Sequence, residues 1–243
     1  TFLNMHIAKP LVKNIICISS FLKSFYKKKH CNVLLLPSLI DNNDPKYNSH
    51  KYIPSEDNVK FFYAGSPGTK ERMDYVVRAV NELINEGFRV SLDICGISKD
   101  EFIKKYGIDT LFNEEKIKFY GRLPNSICLK MIQESDFCTF AREVSLANSA
   151  GFPTKFSESL ACGTPVVTTP TSDIKDHLKN GYNGFLAEDC SYESYLNAMR
   201  LAAETSLEDR KRMHIFCKEN RTLHYMNYVE QMKLFINELD NYD

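Results

Sequence analysis

The chain is 243 residues long, 43% hydrophobic and 12% aromatic, with 31 Lys and Arg balanced by 31 Asp and Glu. That balance removes the long-range attraction on which nucleic-acid and polyanion binders rely, so a partner must be recognised locally. No apolar run nears the ~20 residues of a membrane-spanning helix, and Thr1-Phe2-Leu3-Asn4-Met5 offers neither an initiator Met nor a signal-peptide pattern. The expectation is a cytoplasmic globular protein whose sequence starts inside a longer chain.

In chain order, apolar runs bounded by turn residues occur at 14–19 (NIICIS), 33–37, 59–65 (VKFFYAG), 89–96 (RVSLDICG), 116–121, 136–141, 164–169 and 184–188. They read as buried strands. Between them Met73, Val76, Val77, Val80, Leu83 and Ile84 step by three and four over 72–87, and helical spacing recurs near 98–106, 125–134, 153–162 and 172–179. Strand and helix therefore alternate, which predicts an α/β, Rossmann-like parallel sheet with helices on both faces and ligand binding at the carboxyl ends of the strands.

Residues 1–37 hold two strands and one helix, too little for a core of their own, and read as the remnant of a preceding domain. The Asn-rich stretch 38–58 reads as a hinge or linker, 59–221 as the main domain, and 222–243 as a C-terminal amphipathic helix. Its apolar stripe is Tyr225, Tyr228, Val229, Met232, Phe235, Ile236 and Leu239.

The eight cysteines show no CxxC or Cys/His ligand spacing, so zinc is not expected. His177 and His214 lie in polar stretches and are read as facing water, and His6, His30, His50 and His224 have no acidic or Cys partner at catalytic spacing. The basic run KSFYKKKH (23–30) reads as a solvated helix face, with attachment to anionic lipid as the alternative.

Two glycine turns are candidates for chemistry, with a plain strand-to-helix turn the competing reading of the first. Gly65, Ser66, Pro67, Gly68 and Lys70 link a strand to helix 72–87, an arrangement that can bind phosphate, although the spacing is neither a Walker A loop nor GxGxxG. In AGFPTKFSESLACGTPVV, Gly151, Phe152 and Pro153 open helix 153–162. Its free amides and positive dipole end face any anion bound there. Lys155 in that first turn is electrostatically misplaced unless it meets phosphate, and Glu158, on the same face as Thr154 and Lys155, could hold a ribose diol. A plain surface Lys–Glu pair is the competing reading.

The segments FFYAGSPGTKE, IKFYGRLPNSICLKMIQESDFCTFAR, AGFPTKFSESLACGTPVVTT and NGYNGFLAED, in this order, resemble the C-terminal donor-binding domain of GT-B glycosyltransferases, family 4 or glycosyl transferases group 1, over about 59–200. The resemblance implies retaining transfer from a nucleotide-diphosphate sugar (UDP-, GDP- or ADP-linked) to a glycan or lipid-linked acceptor, with no tightly bound cofactor and no metal. It implies roles for Gly65 and Lys70 at the donor diphosphate, and for the backbone of Gly121, Arg122 and Leu123 at the nucleobase. Arg142 and Lys155 would neutralise phosphate or touch the sugar, the amides of Gly151 to Thr154 would cradle the anion, and Glu158, the second acid of an E-x7-E motif, would bind ribose. The first acid of that motif is replaced by Ala150, with Glu143 the nearest carboxylate. A polysaccharide- or lipopolysaccharide-assembling enzyme, peripheral at the inner membrane face, is the role the likeness implies. A non-catalytic nucleotide-sugar-binding module and a GT-B-shaped epimerase remain alternatives.

Overall fold

The computed structural model describes residues 12–66, 68–107 and 113–240. The readings made on His6, Pro67 and the outer ends of the two terminal segments lie outside these residues.

Each of the eight apolar runs forms a strand. β1 (Asn14–Cys17) and β2 (Asn32–Leu35) pair in parallel, with Asn14 opposite Asn32. Helix α1 (Ser20–Lys27) makes the crossover and is capped by Ser19, whose Oγ accepts from the Leu22 amide. The remaining strands are β3 (Val59–Ala64), β4 (Val90–Cys95), β5 (Ile117–Phe119), β6 (Phe137–Phe140), β7 (Val166–Thr168) and β8 (Gly184–Leu186). They form one parallel sheet in the order β5-β4-β3-β6-β7-β8. The helices are α2 (Met73–Asn85), α3 (Lys99–Tyr106), α4 (Asn125–Gln133), α5 (Leu146–Ala150), α6 (Thr154–Ala161), α7 (Tyr192–Ala203), α8 (Leu207–Glu219) and α9 (Val229–Asp240).

Central strands covered on both faces need no polar alternation, and β3 has none: Phe61, Phe62 and Tyr63 are all fully buried. Helix α2 turns Met73, Val76, Val77, Val80 and Leu83 inward, as its spacing predicts. The chain builds outward from β3 to one edge, then returns to β6 and builds to the other. The strand order therefore reverses between β3 and β6, and the crevice at their carboxyl ends is where an open α/β sheet binds ligands.

Several expectations are corrected. Residues 172–179 hold a single 3₁₀ turn, Ile174–Asp176, rather than a helix. Ser172 enters it at φ 55°, and Asn183 closes the following turn by accepting from the Lys179 amide at 2.7 Å and donating to the His177 carbonyl at 2.9 Å. The 3₁₀ turn Pro45–Tyr47 and helix α5 carry no signal in the spacing. On α9, Phe235 is buried against Leu34 and Leu36, with Tyr228, Met232 and Leu239 packed around it. Tyr225 and Ile236 of the expected stripe are exposed: Tyr225 lies in a 3₁₀ turn ahead of α9, and Ile236 is one residue, about 100° of helix, past Phe235.

The polar segment 38–58 packs closely. Ile40 and Tyr47 enter the main core. The carboxylate of Asp136 gathers the Tyr52 hydroxyl, the Lys60 amide at 2.7 Å and Arg210 at 2.6 Å, while Arg210 also donates to the Ser55 carbonyl at 2.8 Å. The histidines read as solvated are not. His214 is 6% exposed, stacks on Tyr52 with ring centroids 3.5 Å apart, and donates from Nε2 to the Asp136 carbonyl at 3.0 Å. Burial holds its pKa down at about 3. His177 is half-buried edge-on to Phe152, and burial lowers its pKa too. His224 is buried with Asp41 at 3.5 Å.

All eight cysteines are free thiols, and Cys17, Cys95, Cys138, Cys162 and Cys217 are buried. Among the described residues no helix is long and apolar enough to cross a membrane, and no group of three or more His, Cys, Asp or Glu could hold a metal ion.

Candidate functional site

Three parallel strands end in glycine at the sheet's carboxyl edge: Gly65 after β3, Gly96 after β4 and Gly121 after β5. The Gly65 amide donates to the Cys95 carbonyl at 3.0 Å and the Gly96 amide to the Gly121 carbonyl at 2.7 Å. Gly96 has φ +109°, and a Cβ there would lie 2.3 Å from the Gly65 carbonyl oxygen, so no side chain fits. The close approach keeps the loop tips low, and a cavity of about 460 Å³ opens above them.

Thr154, Lys155, Glu158 and Ser159 of α6 form the opposite wall, and Phe140, Arg122 and Leu123 close the sides. Pro153 sits at the N-cap and no side chain caps α6, so this end of the helix keeps donors for an incoming anion.

Behind the wall lies a carboxylate. Glu71, 8% exposed, accepts from Lys155 Nζ at 2.6 Å through Oε2, and from Arg142 through Oε1 at 2.8 Å; the Tyr63 hydroxyl also donates to Oε2. Lys155 Nζ lies 4.2 Å from the centre of the Tyr63 ring. Burial acts to raise the Glu71 pKa, but Lys155, Tyr63 and Arg142 outweigh it and hold the carboxyl below its usual value. For Lys155, burial lowers the pKa and Glu71 opposes it. Two cations on one carboxylate leave the cluster with an excess positive charge at a low-dielectric cavity wall, where an anion gains most.

Glu158, one turn beyond Lys155, is half-buried on the same wall. Burial raises its pKa against the opposing pull of Lys46 and Lys155. Among the described residues no hydrogen bond or ion pair engages its carboxylate, which leaves it available to hydroxyl donors.

Of the residues singled out in the sequence, Gly65, Ser66, Arg122, Leu123, Thr154, Lys155 and Glu158 line this one cavity. Arg142 pairs with Glu71 behind Lys155, and Gly121 is outside the lining, its carbonyl accepting from the amide of the lining residue Gly96. The Arg122 side chain points to solvent, 3.6 Å from Glu101. Lys70 is exposed and is not part of the lining; its carbonyl is tied down by Asn148 Nδ2 at 3.0 Å. Gly151, Phe152 and Pro153 form the turn into α6, and the buried Phe152 ring packs edge-on against Phe156. Ala150 ends α5, and Glu143 is turned to Arg72 rather than to the cavity.

Sequence reasoning missed Glu71, Tyr63, Gly96 and Asn148. Glu71 sits beside Lys70 of the first glycine turn, but its partners are 71 and 84 residues away, and no local spacing signals such a contact. Gly96 carries a weak signal, a glycine directly after an apolar strand.

Residues 46–219 match the family of glycosyl transferases group 1. The chain belongs to that family. Its fold matches solved GT-B glycosyltransferases at low sequence identity. Sucrose-phosphate synthase from Thermosynechococcus elongatus matches with a TM-score of 0.69 and 13% identity, over 100% of this chain and 63% of that one. Anabaena HepE, solved with UDP and glucose, gives 0.72 and 14% over 98% and 66%. WaaB, a lipopolysaccharide outer core galactosyltransferase, gives 0.69 and 15% over 93% and 62%. The chain thus spans under two thirds of the length of each of these three proteins. No curated protein matches it by sequence.

Proposed function

We propose that this chain is the donor-binding part of a retaining glycosyltransferase, which moves a sugar from a nucleotide-diphosphate sugar to a glycan or lipid-linked acceptor. In that reaction the bond from the anomeric carbon to the diphosphate oxygen breaks, one to an acceptor hydroxyl oxygen forms, and the hydroxyl proton is released to the leaving diphosphate or to water. The electron pair leaves with the diphosphate. The protein must therefore stabilise developing negative charge on that leaving group.

One observation carries the reading: the amine of Lys155, clamped beside Arg142 by Glu71, shares a cavity wall with the unengaged carboxylate of Glu158 at the strand-order reversal. Lys155 and the start of α6 receive the diphosphate, Arg142 adds to the positive field, and Glu158 accepts from the ribose hydroxyls. UDP is the nucleotide the similar Anabaena protein holds, and UDP is our first choice over GDP and ADP. Residues 1–37 are assigned to a preceding acceptor-side domain, 59–221 to the donor domain and 222–243 to a returning helix. The intact enzyme works in the cytoplasm, with the acceptor brought from a membrane or a growing polysaccharide. Because the acceptor side lies elsewhere, this piece binds donor without appreciable transfer.

A non-catalytic sugar-nucleotide binder is the second reading, favoured by Ala150 at the position of the motif's first acid. Calorimetric titration with UDP, GDP and ADP tests the donor site. We expect one nucleotide to bind preferentially, with Lys155→Ala and Glu158→Ala each weakening it by about 10-fold or more, the scale of a lost charge-assisted hydrogen bond. Binding that ignores both substitutions would make α6 scaffold.

A further inference from the structure

The segment that carries Arg142 is held from two sides. The main-chain ladder between β6 and β7 ends at Phe140 opposite Thr168. Beyond it the Thr169 hydroxyl takes over: Oγ1 accepts from the Arg142 amide at 2.8 Å and donates to the Arg142 carbonyl at 2.8 Å. Thr169 is fully buried, so one side chain satisfies both main-chain groups of Arg142 in place of water.

On the other side lies the segment that carries Glu71. Glu71 and Arg142 form an isolated antiparallel bridge, and the Arg72 amide donates to the Ala141 carbonyl at 2.9 Å. Asn148, the third residue of α5, ties the two segments together: its Nδ2 donates to the Lys70 carbonyl at 3.0 Å and to the Glu143 carbonyl at 2.7 Å. Asn148 is 2% exposed, and its Oδ1 has no hydrogen-bond partner among the described residues. A buried amide with an unused oxygen is costly, so what this side chain contributes is its pair of N–H donors.

These contacts matter because of what the two segments carry. Arg142 and Lys155 meet on the Glu71 carboxylate, at 2.8 and 2.6 Å, and of the three only Lys155 lines the cavity. Glu71 sets the direction of the Lys155 amine, and the main chain at 70–72 and 141–143 sets the place of Glu71. Charge fixed in advance stabilises an anion without rearranging when it binds, so a small displacement is felt as lost affinity. We propose that Thr169 and Asn148 are positioning residues, which hold Arg142 and Glu71, and through them Lys155, in register with the cavity wall. The inference rests on the donor reading above for the anion received there.

The test compares Thr169→Val, which keeps the shape and removes the hydroxyl, with Thr169→Ser, which restores it, and with Asn148→Asp, which keeps the shape and removes both donors. Each is titrated calorimetrically with UDP, with GDP and ADP in parallel, and the Arg142 side-chain signal is followed by NMR on isotope-labelled arginine. Phe235→Ala, whose cluster contributes no residue to the cavity lining, is the control for lost stability. We expect Thr169→Val and Asn148→Asp to weaken UDP about 3- to 10-fold, the scale of one hydrogen bond, and to move the Arg142 signal, with Thr169→Ser within about 2-fold of the unsubstituted chain. Phe235→Ala should leave both readouts as they are. If Thr169→Val and Asn148→Asp lower the melting temperature but not the UDP affinity, the two residues serve stability alone; the proposal is then wrong and the donor site stands. If no nucleotide binds the unsubstituted chain, while the Arg142 signal moves in both variants and returns in Thr169→Ser, the positioning role stands and the donor reading fails. Asn148→Asp decides the question by itself if Thr169→Val does not fold.

Discussion

Glu71 organises the candidate site more than any residue the sequence points to. Its carboxylate holds Arg142 and Lys155 in place through two short ion pairs, and both cations are largely buried. Removing one partner of such a cluster leaves unmatched charge, so Glu71→Gln is expected to cost about 3 kcal/mol in thermal or denaturant unfolding. The same change frees the two cations for an external anion. Inorganic pyrophosphate should therefore raise the melting temperature of Glu71→Gln more than that of the unsubstituted chain; an equal rise would show that the cluster does not face the anion site. His214 makes a separate prediction. It is neutral in the folded chain, with a pKa of about 3 against an ordinary 6.5, so the unfolded chain takes up the proton first. Stability is full above pH 6.5 and falls as the pH drops toward 3, by about 1.4 kcal/mol per pH unit. His177, lowered in the same direction, adds to the slope. Urea unfolding between pH 7 and 5 should show this slope, and His214→Gln, which keeps a donor for the Asp136 carbonyl, should flatten it. Neither role is legible in the sequence. His214 looks solvated there because α8 is polar nearly all round, and what buries it is Tyr52, far upstream in the chain.

Among the elements, the strands and the long helices are legible directly, because apolar runs and three-four spacing survive any tertiary arrangement. The failures fall where tertiary contacts decide. Residues 172–179 carry a helix-compatible Ile174 and Leu178, but Ser172 and the Asn183-closed turn stop the helix after one turn. The glycine tips show the same limit: Gly65 stands out by its motif, whereas Gly96 matters only because the Gly65 carbonyl lies against it. Gly96→Ala must push that carbonyl away and hold a non-glycine residue at φ +109°. It is expected to cost about 1–3 kcal/mol and to weaken nucleotide binding by displacing the Gly65–Ser66 loop, with denaturation and calorimetry as the checks. Unchanged nucleotide affinity would mean that this loop does not touch the ligand.

In the molecule as a whole, the alternation of strand and helix predicts a parallel sheet, and the observed order puts its reversal between β3 and β6, where the candidate residues converge. Sequence alone does not supply that order, since pairing among parallel strands is set by crossovers rather than by local pattern. Nor does it show that Leu34 at the end of β2 and Phe235 on α9, near opposite ends of the chain, close a second small core. The Phe235 ring is its centre, and Phe235→Ala should destabilise the chain by about 3 kcal/mol while leaving nucleotide affinity unchanged, since no residue of that cluster lines the cavity. Whether α6 receives a nucleoside diphosphate is decided by a crystal structure of the chain with UDP. Diphosphate oxygens should lie in ion-pair contact with Lys155 Nζ at the start of α6, with the ribose hydroxyls on Glu158. UDP bound elsewhere, or bound here with Glu158 unengaged, would overturn the assignment.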